Sequence, residues 1–212
     1  GCLLRGFDIE TSGGSTLTEV AMVNCISRGS TSSHGINING TVTKAIFHGV
    51  ISSANFIDGI VLSGPDELIL SACITDDNTG NGLNLASTPT QVLIIGHRAE
   101  GNTLSGILIP GATTLTIEGG QFLSNTRSGI ECTGSANSCS ITGGVYRGNT
   151  QYGLFLRGSS LSVSGVISQL NTLNGIHVIS VDAGAITGCI SEGNGADGMA
   201  LSSCTNITIS GN

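Results

Sequence analysis

ITGGVYRGNTQYGLFL (residues 141–156), VSGVISQLNTLNGIHV (163–178) and ITGCISEGNGADGMAL (186–201) repeat one pattern. An aliphatic residue stands two before a glycine, an Asn follows that glycine by six, and a second glycine follows the Asn by four. Working outward, the second glycine recurs at Gly35, Gly59, Gly82, Gly106, Gly129, Gly153, Gly175 and Gly198, at spacings of 24, 23, 24, 23, 24, 22 and 23. The Asn recurs at Asn55, Asn78, Asn102, Asn125, Asn149, Asn171 and Asn194. A small residue holds the first glycine position at Gly49, Ala72, Gly96, Gly119, Gly143, Gly165 and Gly188. A fixed period in the range of twenty to fifty residues is the signature of units stacked side by side.

Between these marks the apolar residues alternate with period two, which is a strand signal. One strand follows the late glycine, as in Ile60 and Leu62, Ile107 and Ile109, or Ile176 and Val178. A second precedes the early glycine, as in Leu68 and Leu70 or Leu115 and Ile117, and a third short one follows it, as in Val166-Ile167-Ser168. Three strands per repeat predict an all-β, single-stranded parallel β-helix. It is a three-faced solenoid of about eight coils of 22–24 residues. Each coil buries its apolar side only against its neighbours. Glycine is expected at bends with positive φ, and the Asn column is expected to form a hydrogen-bonded ladder, because an amide both donates and accepts. A leucine-rich repeat requires a Leu two residues after the Asn. Here that position holds Ile57, Gly80, Leu104, Gln151 and Leu173, and the Ser-, Thr- and Gly-rich connections do not favour helices.

Residues 1–19 are read as an irregular first coil and 20–212 as the β-helix, expected to be a slice of a longer protein because no polar cap follows Asn212. The chain has 212 residues, net charge −7 and 10% charged residues. That charge gives no general attraction for nucleic acid or anionic membranes. No apolar run approaches the roughly 20 residues of a membrane span. Seven Cys lie at positions 2, 25, 73, 132, 139, 189 and 204, mostly where other coils carry small apolar residues, and are read as buried hydrophobes. No cofactor or metal site is expected.

The motif I/V-x-G-x-x-x-x-x-N-x-x-x-G-I-x-L resembles the parallel β-helix repeat of the pectate-lyase-like superfamily, over about residues 20–212. The resemblance implies a right-handed helix and a polysaccharide partner bound along an outer face. It implies recognition, and cleavage by a hydrolase or lyase if the protein is an enzyme, as in a phage tailspike or a secreted carbohydrate-active protein. It also implies an extracellular or virion-surface location and a homotrimer. The alternative is a non-enzymatic shaft or adhesin. Asp76-Asp77 and Gly96-His97 are similar to polygalacturonase motifs but fall at different repeat phases, so no role is carried over to them from that family.

Candidate chemistry lies on outward positions. Glu131, Phe155 and His177 occupy one outward column on three consecutive coils, with Arg157 beside Phe155. Such a set suits a sugar subsite, the ring stacking and the polar groups bonding hydroxyls. Glu131 and His177 are the candidate catalytic pair, two rungs or about 10 Å apart. Asp76 and Glu100 share a repeat position on adjacent coils with Arg98 nearby. They form a second candidate acid–base pair, or a surface ion network. The four His fall at different phases and are read as surface residues. Ile46, Ile69 and Leu93 form an outward apolar stripe, with Ile95 alongside, read as a covered surface.

Overall fold

The computed structural model describes residues 6–11 and 15–212. It contains strands and no helix among the described residues, and every strand pairing is parallel. The late-glycine column starts the first face, whose rungs include Phe7–Glu10, Leu83–Leu85, Ile107–Ile109, Ile130–Cys132, Ile176–Ile179 and Met199–Ser202. The second face includes Leu17–Val23, Gln91–Ile95, Ala112–Glu118, Ala136–Thr142, Ala183–Thr187 and Ile207–Ser210. The third carries Ile26–Arg28, Ile51–Ser53, Arg98–Glu100, Gln121–Leu123, Val145–Arg147, Ile167–Gln169 and Ile190–Glu192. Phe7–Glu10 pairs in register with Ile36–Asn39, and Leu17–Val23 with Val42–His48. The described part of residues 1–19 is therefore built of regular rungs rather than an irregular coil.

First and second faces are continuous. Ile36–His48, Ile60–Ser71 and Leu154–Ser164 each run through the bend, joining both faces into one 15-stranded sheet. The register shifts between Asn39 and Val42, where Gly40 and Gly64 hold positive φ.

Like residues stack inside. Ile36, Ile60, Leu83, Ile107, Ile130, Leu154 and Ile176 are fully buried, as are Leu68, Val92, Leu115 and Val163. Each buried aliphatic side chain stabilises by roughly 1.5–3 kcal/mol relative to exposure. Cys73, Cys132, Cys139 and Cys189 are buried free thiols, and Cys25 and Cys204 are half-buried. Cys2 lies outside the described residues. Burial pushes the Cys73, Cys132 and Cys139 thiols up, which keeps them as unreactive core groups.

The two glycine columns do different work. The early column, from Gly49 to Gly188, is left-handed throughout, including Ala72 at φ 50°. The late column has ordinary φ. A Cβ on Gly106 would lie 2.6 Å from the Gly129 carbonyl oxygen, and one on Gly129 2.7 Å from that of Gly153. Here glycine permits backbone to approach backbone between coils. A second left-handed column precedes each Asn: Ala54, Asp77, Gly101, Ser124, Gly148, Leu170 and Gly193.

That left-handed residue turns each Asn inward. Asn125 donates from its backbone N to Asn149 Oδ1 (3.1 Å) and from Nδ2 to the same oxygen (3.0 Å) and to the Ala99 carbonyl (3.1 Å). The scheme repeats from Asn55 to Asn194. In the first coil Ser30 takes the Asn place, and its N–H donates to Asn55 Oδ1. The residue after the Asn is an exposed Thr on five consecutive coils, at Thr79, Thr103, Thr126, Thr150 and Thr172.

The core of the third face is filled in two ways. Ser27, Ser52, Ser168 and Ser191 point inward and donate to the late-glycine carbonyls of their own coils. In the four coils between, that position holds Thr75, Ala99, Phe122 and Tyr146, and the last two rings stack at 4.9 Å with 7° between them. Their bulk is accommodated because the corner residue two earlier shrinks to Gly120 and Gly144, where other coils hold Val50, Cys73 or Val166. His97 occupies this corner column and is fully buried, with Nε2 2.9 Å from Thr75 Oγ1. The surface position expected for His97 is thus corrected: the residue following the early glycine faces the core.

Candidate functional site

The outward column of the first face runs in unbroken register through Asn37, Val61, Asn84, Leu108, Glu131, Phe155, His177 and Ala200. Beside it runs the residue preceding the late glycine: Asp58, Asn81, Ser105, Ser128, Tyr152, Asn174 and Asp197. Together the two columns form the rim of this face, and two kinds of surface follow one another along it.

Over the earlier coils the rim is a bonded polar network. Asp58 accepts from the Asn81 backbone N (2.6 Å), Asn81 Nδ2 (3.0 Å) and Asn84 Nδ2 (3.1 Å). Asn81 Oδ1 accepts from the Ser105 backbone N, and Ser105 Oγ donates to Glu131 Oε2 at 2.6 Å. Arg127, four residues before Glu131, donates to Oε1 at 2.8 Å. Glu131 is only 7% exposed and both its oxygens are engaged. Strand alternation set its side of the sheet, while Arg127 and Ser105 cover it.

Beyond Glu131 the rim becomes aromatic. Phe155 and His177 meet edge to face at 5.5 Å, and Tyr152 lies 5.3 Å from Phe155 and 5.1 Å from His177. All three are half-buried. His177 Nδ1 is enclosed without a hydrogen-bond partner. Burial lowers the pKa of its imidazole, opposed by the attraction of Asp197. The imidazole is therefore held toward its neutral form. Arg157 is exposed, donates to the Thr133 carbonyl at 3.2 Å and stands on the rung of Phe155.

Tyr152 completes the cluster and carries no signal in the strand alternation, because it precedes the glycine. Its column is polar in every other coil, and that pattern alone marks a ring there as outward.

The third face carries the other candidates. Arg98 binds Asp76 through both Nε (2.9 Å) and Nη2, and its Nε lies 3.8 Å from Glu100. Asp76, 6% exposed, also accepts from the Glu100 backbone N. The geometry is a cation between two carboxylates, the ion-network form of this cluster. No group of three or more His, Cys, Asp or Glu among the described residues is arranged to hold a metal.

Comparison with known families agrees with this architecture. The family model described as right-handed beta helix region matches residues 5–167, more than half of the chain. The chain belongs to the right-handed β-helix family. No curated protein and no solved structure matches it. The fold of this β-helix is thereby shown, and its activity is a matter for the site.

Proposed function

We propose that this β-helix recognises a polysaccharide laid along the rim of its first face. Tyr152, Phe155 and His177 are the stacking platform, and Arg157, Asn174 and Asp197 bond hydroxyls around it. The observation that carries this reading is the three-ring cluster. The chain has two Tyr, five Phe and no Trp. Three of those seven rings, Phe47, Phe122 and Tyr146, are fully buried in the core. Two of the remaining four meet at one outward spot beside an imidazole. Rings with one apolar face and a polar surround suit the alternating CH and OH faces of a sugar. An elongated rim with coils every 4.8 Å or so suits a repeating polymer. A bacterial surface glycan met outside the cell or at a virion surface fits this reading.

Cleavage of the bound chain is the narrower proposal, with Glu131 and His177 as its groups. The engagement of Glu131 by Arg127 and of Asp76 by Arg98 favours the second reading, a binding shaft or adhesin without catalysis.

The test is titration with capsular and O-antigen polysaccharides, followed by tyrosine fluorescence. Tyr146 is buried, so a ligand-dependent change reports Tyr152. Phe155→Ala is expected to weaken binding by about tenfold, the worth of one aromatic contact. Binding unchanged in Phe155→Ala refutes the platform. Oligosaccharide release that is lost in Glu131→Gln supports cleavage, and binding without release supports the shaft.

A further inference from the structure

The outer surface of the third face has no part in the rim described above, and its sequence is palindromic toward both ends. Two outward columns run along it in continuous register over eight coils. The outer three pairs of the first read alike from either end. Ile26 and Ile190 stand at the extremes, then Ile51 and Ile167, then Ile74 and Val145, with Arg98 and Gln121 at the centre. The second column reverses charge from end to end. Arg28 corresponds to Glu192 and Asp76 to Arg147, with Ser53 corresponding to Gln169. Two central pairs do not match, Arg98 with Gln121 and Glu100 with Leu123.

A surface of this kind complements an inverted copy of itself. A two-fold axis lying in the face and parallel to its strands keeps each column opposite the same column and exchanges the first coil with the eighth. Aliphatic residues then meet aliphatic residues, and Arg28 meets Glu192 at both ends, as an isologous interface requires. A two-fold along the solenoid exchanges the columns instead, setting Ile26 against Arg28 and Ile190 against Glu192. We propose that the third face is the interface of an antiparallel homodimer.

In the free chain Asp76 is held by Arg98 and Glu192 accepts from Gln169, while the apolar ends and two cations of this face have no partner among the described residues. Ile26 and Ile190 are 44% and 51% exposed. Among the described residues, neither Arg28 nor Arg147 makes an ion pair within its own chain. Shallow hollows of about 400 and 450 Å³ lie toward opposite ends of the face, one beside Arg28 and Asp76 and the other beside Arg147 and Glu192. The inverted copy sets one hollow over the other, and Leu170, exposed beside the second, comes opposite Ala54 at the first. Eight coils by five residues of width give roughly 600 Å² per copy, about 1,200 Å² in all. That is the lower end of the range for specific interfaces. The charged ends of this interface make the association weaken with salt. The stripe of Ile46, Ile69 and Leu93 on the second face has no such counterpart, since its column continues as Thr116, Ser140 and Ser162.

Sedimentation velocity of the purified chain across the micromolar range tests this, with circular dichroism to verify folding. The expected result is a monomer–dimer equilibrium without larger species. Arg28→Glu and Glu192→Arg each raise the dissociation constant by about tenfold or more, and the double variant Arg28→Glu/Glu192→Arg returns to within about threefold of the parent. Within one chain these two positions are seven coils, about 34 Å, apart, so the rescue arises only between antiparallel copies. Ile167→Asp, outward on its strand, abolishes the dimer while leaving the dichroism unchanged. A chain that is monomeric throughout, a trimer, or a double variant no better than the singles overturns the proposal. The first-face rim stays open in the dimer, so polysaccharide binding is an independent readout.

Discussion

Asn125→Ala removes the middle of the Asn ladder, and the structure sets the size of the effect. Asn125 is fully buried. Its Oδ1 accepts from the Asn102 backbone N at 3.1 Å and from Asn102 Nδ2 at 2.9 Å. Asn102 Nδ2 keeps its second bond, to the Thr75 carbonyl at 2.8 Å, but the Asn102 N–H is left without an acceptor. An orphaned buried donor costs about 1–3 kcal/mol. Asn149 Oδ1 retains the Asn125 backbone donor, while the Ala99 carbonyl loses a bond worth about 0.5–1.5 kcal/mol. The expected loss is about 3 kcal/mol, or roughly 6–12 °C in melting temperature for a domain of this size. Thermal and urea unfolding followed by far-ultraviolet dichroism measure it. Thr126→Ala, on the exposed neighbour, serves as the control and shifts stability by no more than about 0.5 kcal/mol. Asn194→Ala falls between them, because Asn194 is half-buried at the end of the ladder. If Asn125→Ala melts with Thr126→Ala, the ladder does not hold the coils and the reasoning fails.

The two glycine columns are expected to separate under alanine substitution. Gly119→Ala meets no atom within 4 Å and costs about 1 kcal/mol of left-handed strain, whereas Gly129→Ala drives a methyl against the Gly153 carbonyl and prevents stable folding, as judged by soluble yield and melting. His97 supplies a pH dependence. Burial pushes its imidazole down to about 3, so the neutral ring is the folded form. Its contribution is complete above the unfolded pKa of about 6.5 and is lost as pH falls from there toward 3, at up to about 1.4 kcal/mol per pH unit. Urea midpoints at several pH values between 7 and 4 measure it (about one per half unit), and a non-titrating His97→Gln variant flattens the slope over that interval; a variant with the parent slope refutes the assignment.

Period and alternation were enough to place the rungs, because in a solenoid each residue's neighbours are its own equivalents one coil away. The columns read from Gly59-Ile60 to Gly198-Met199 are the columns that pair. What escaped is whatever depends on the other dimension, within a coil or above the sheet. The left-handed column before the Asn is filled by Ala, Asp, Ser and Leu as well as Gly, so composition hides its conformation. His97 is polar by type and buried by position, and its place follows only from the corner column it shares with Val50 and Cys73. Glu131 faces outward as alternation requires, yet Arg127 and Ser105 cover it. Phe155 and His177 were legible as neighbours on one face, whereas Tyr152 joins them across a bend that the strand period does not span.

The central claim is that like positions on successive coils stack at a constant rise. Spin labels on noncanonical residues replacing Thr31 and Thr172, at one exposed position on the first and seventh coils, give the most direct reading by pulsed electron–electron resonance. Six rungs predict a narrow distance near 29 Å across 141 residues of chain. A broad distribution, or a mean far from that multiple of the rung spacing, contradicts the stack.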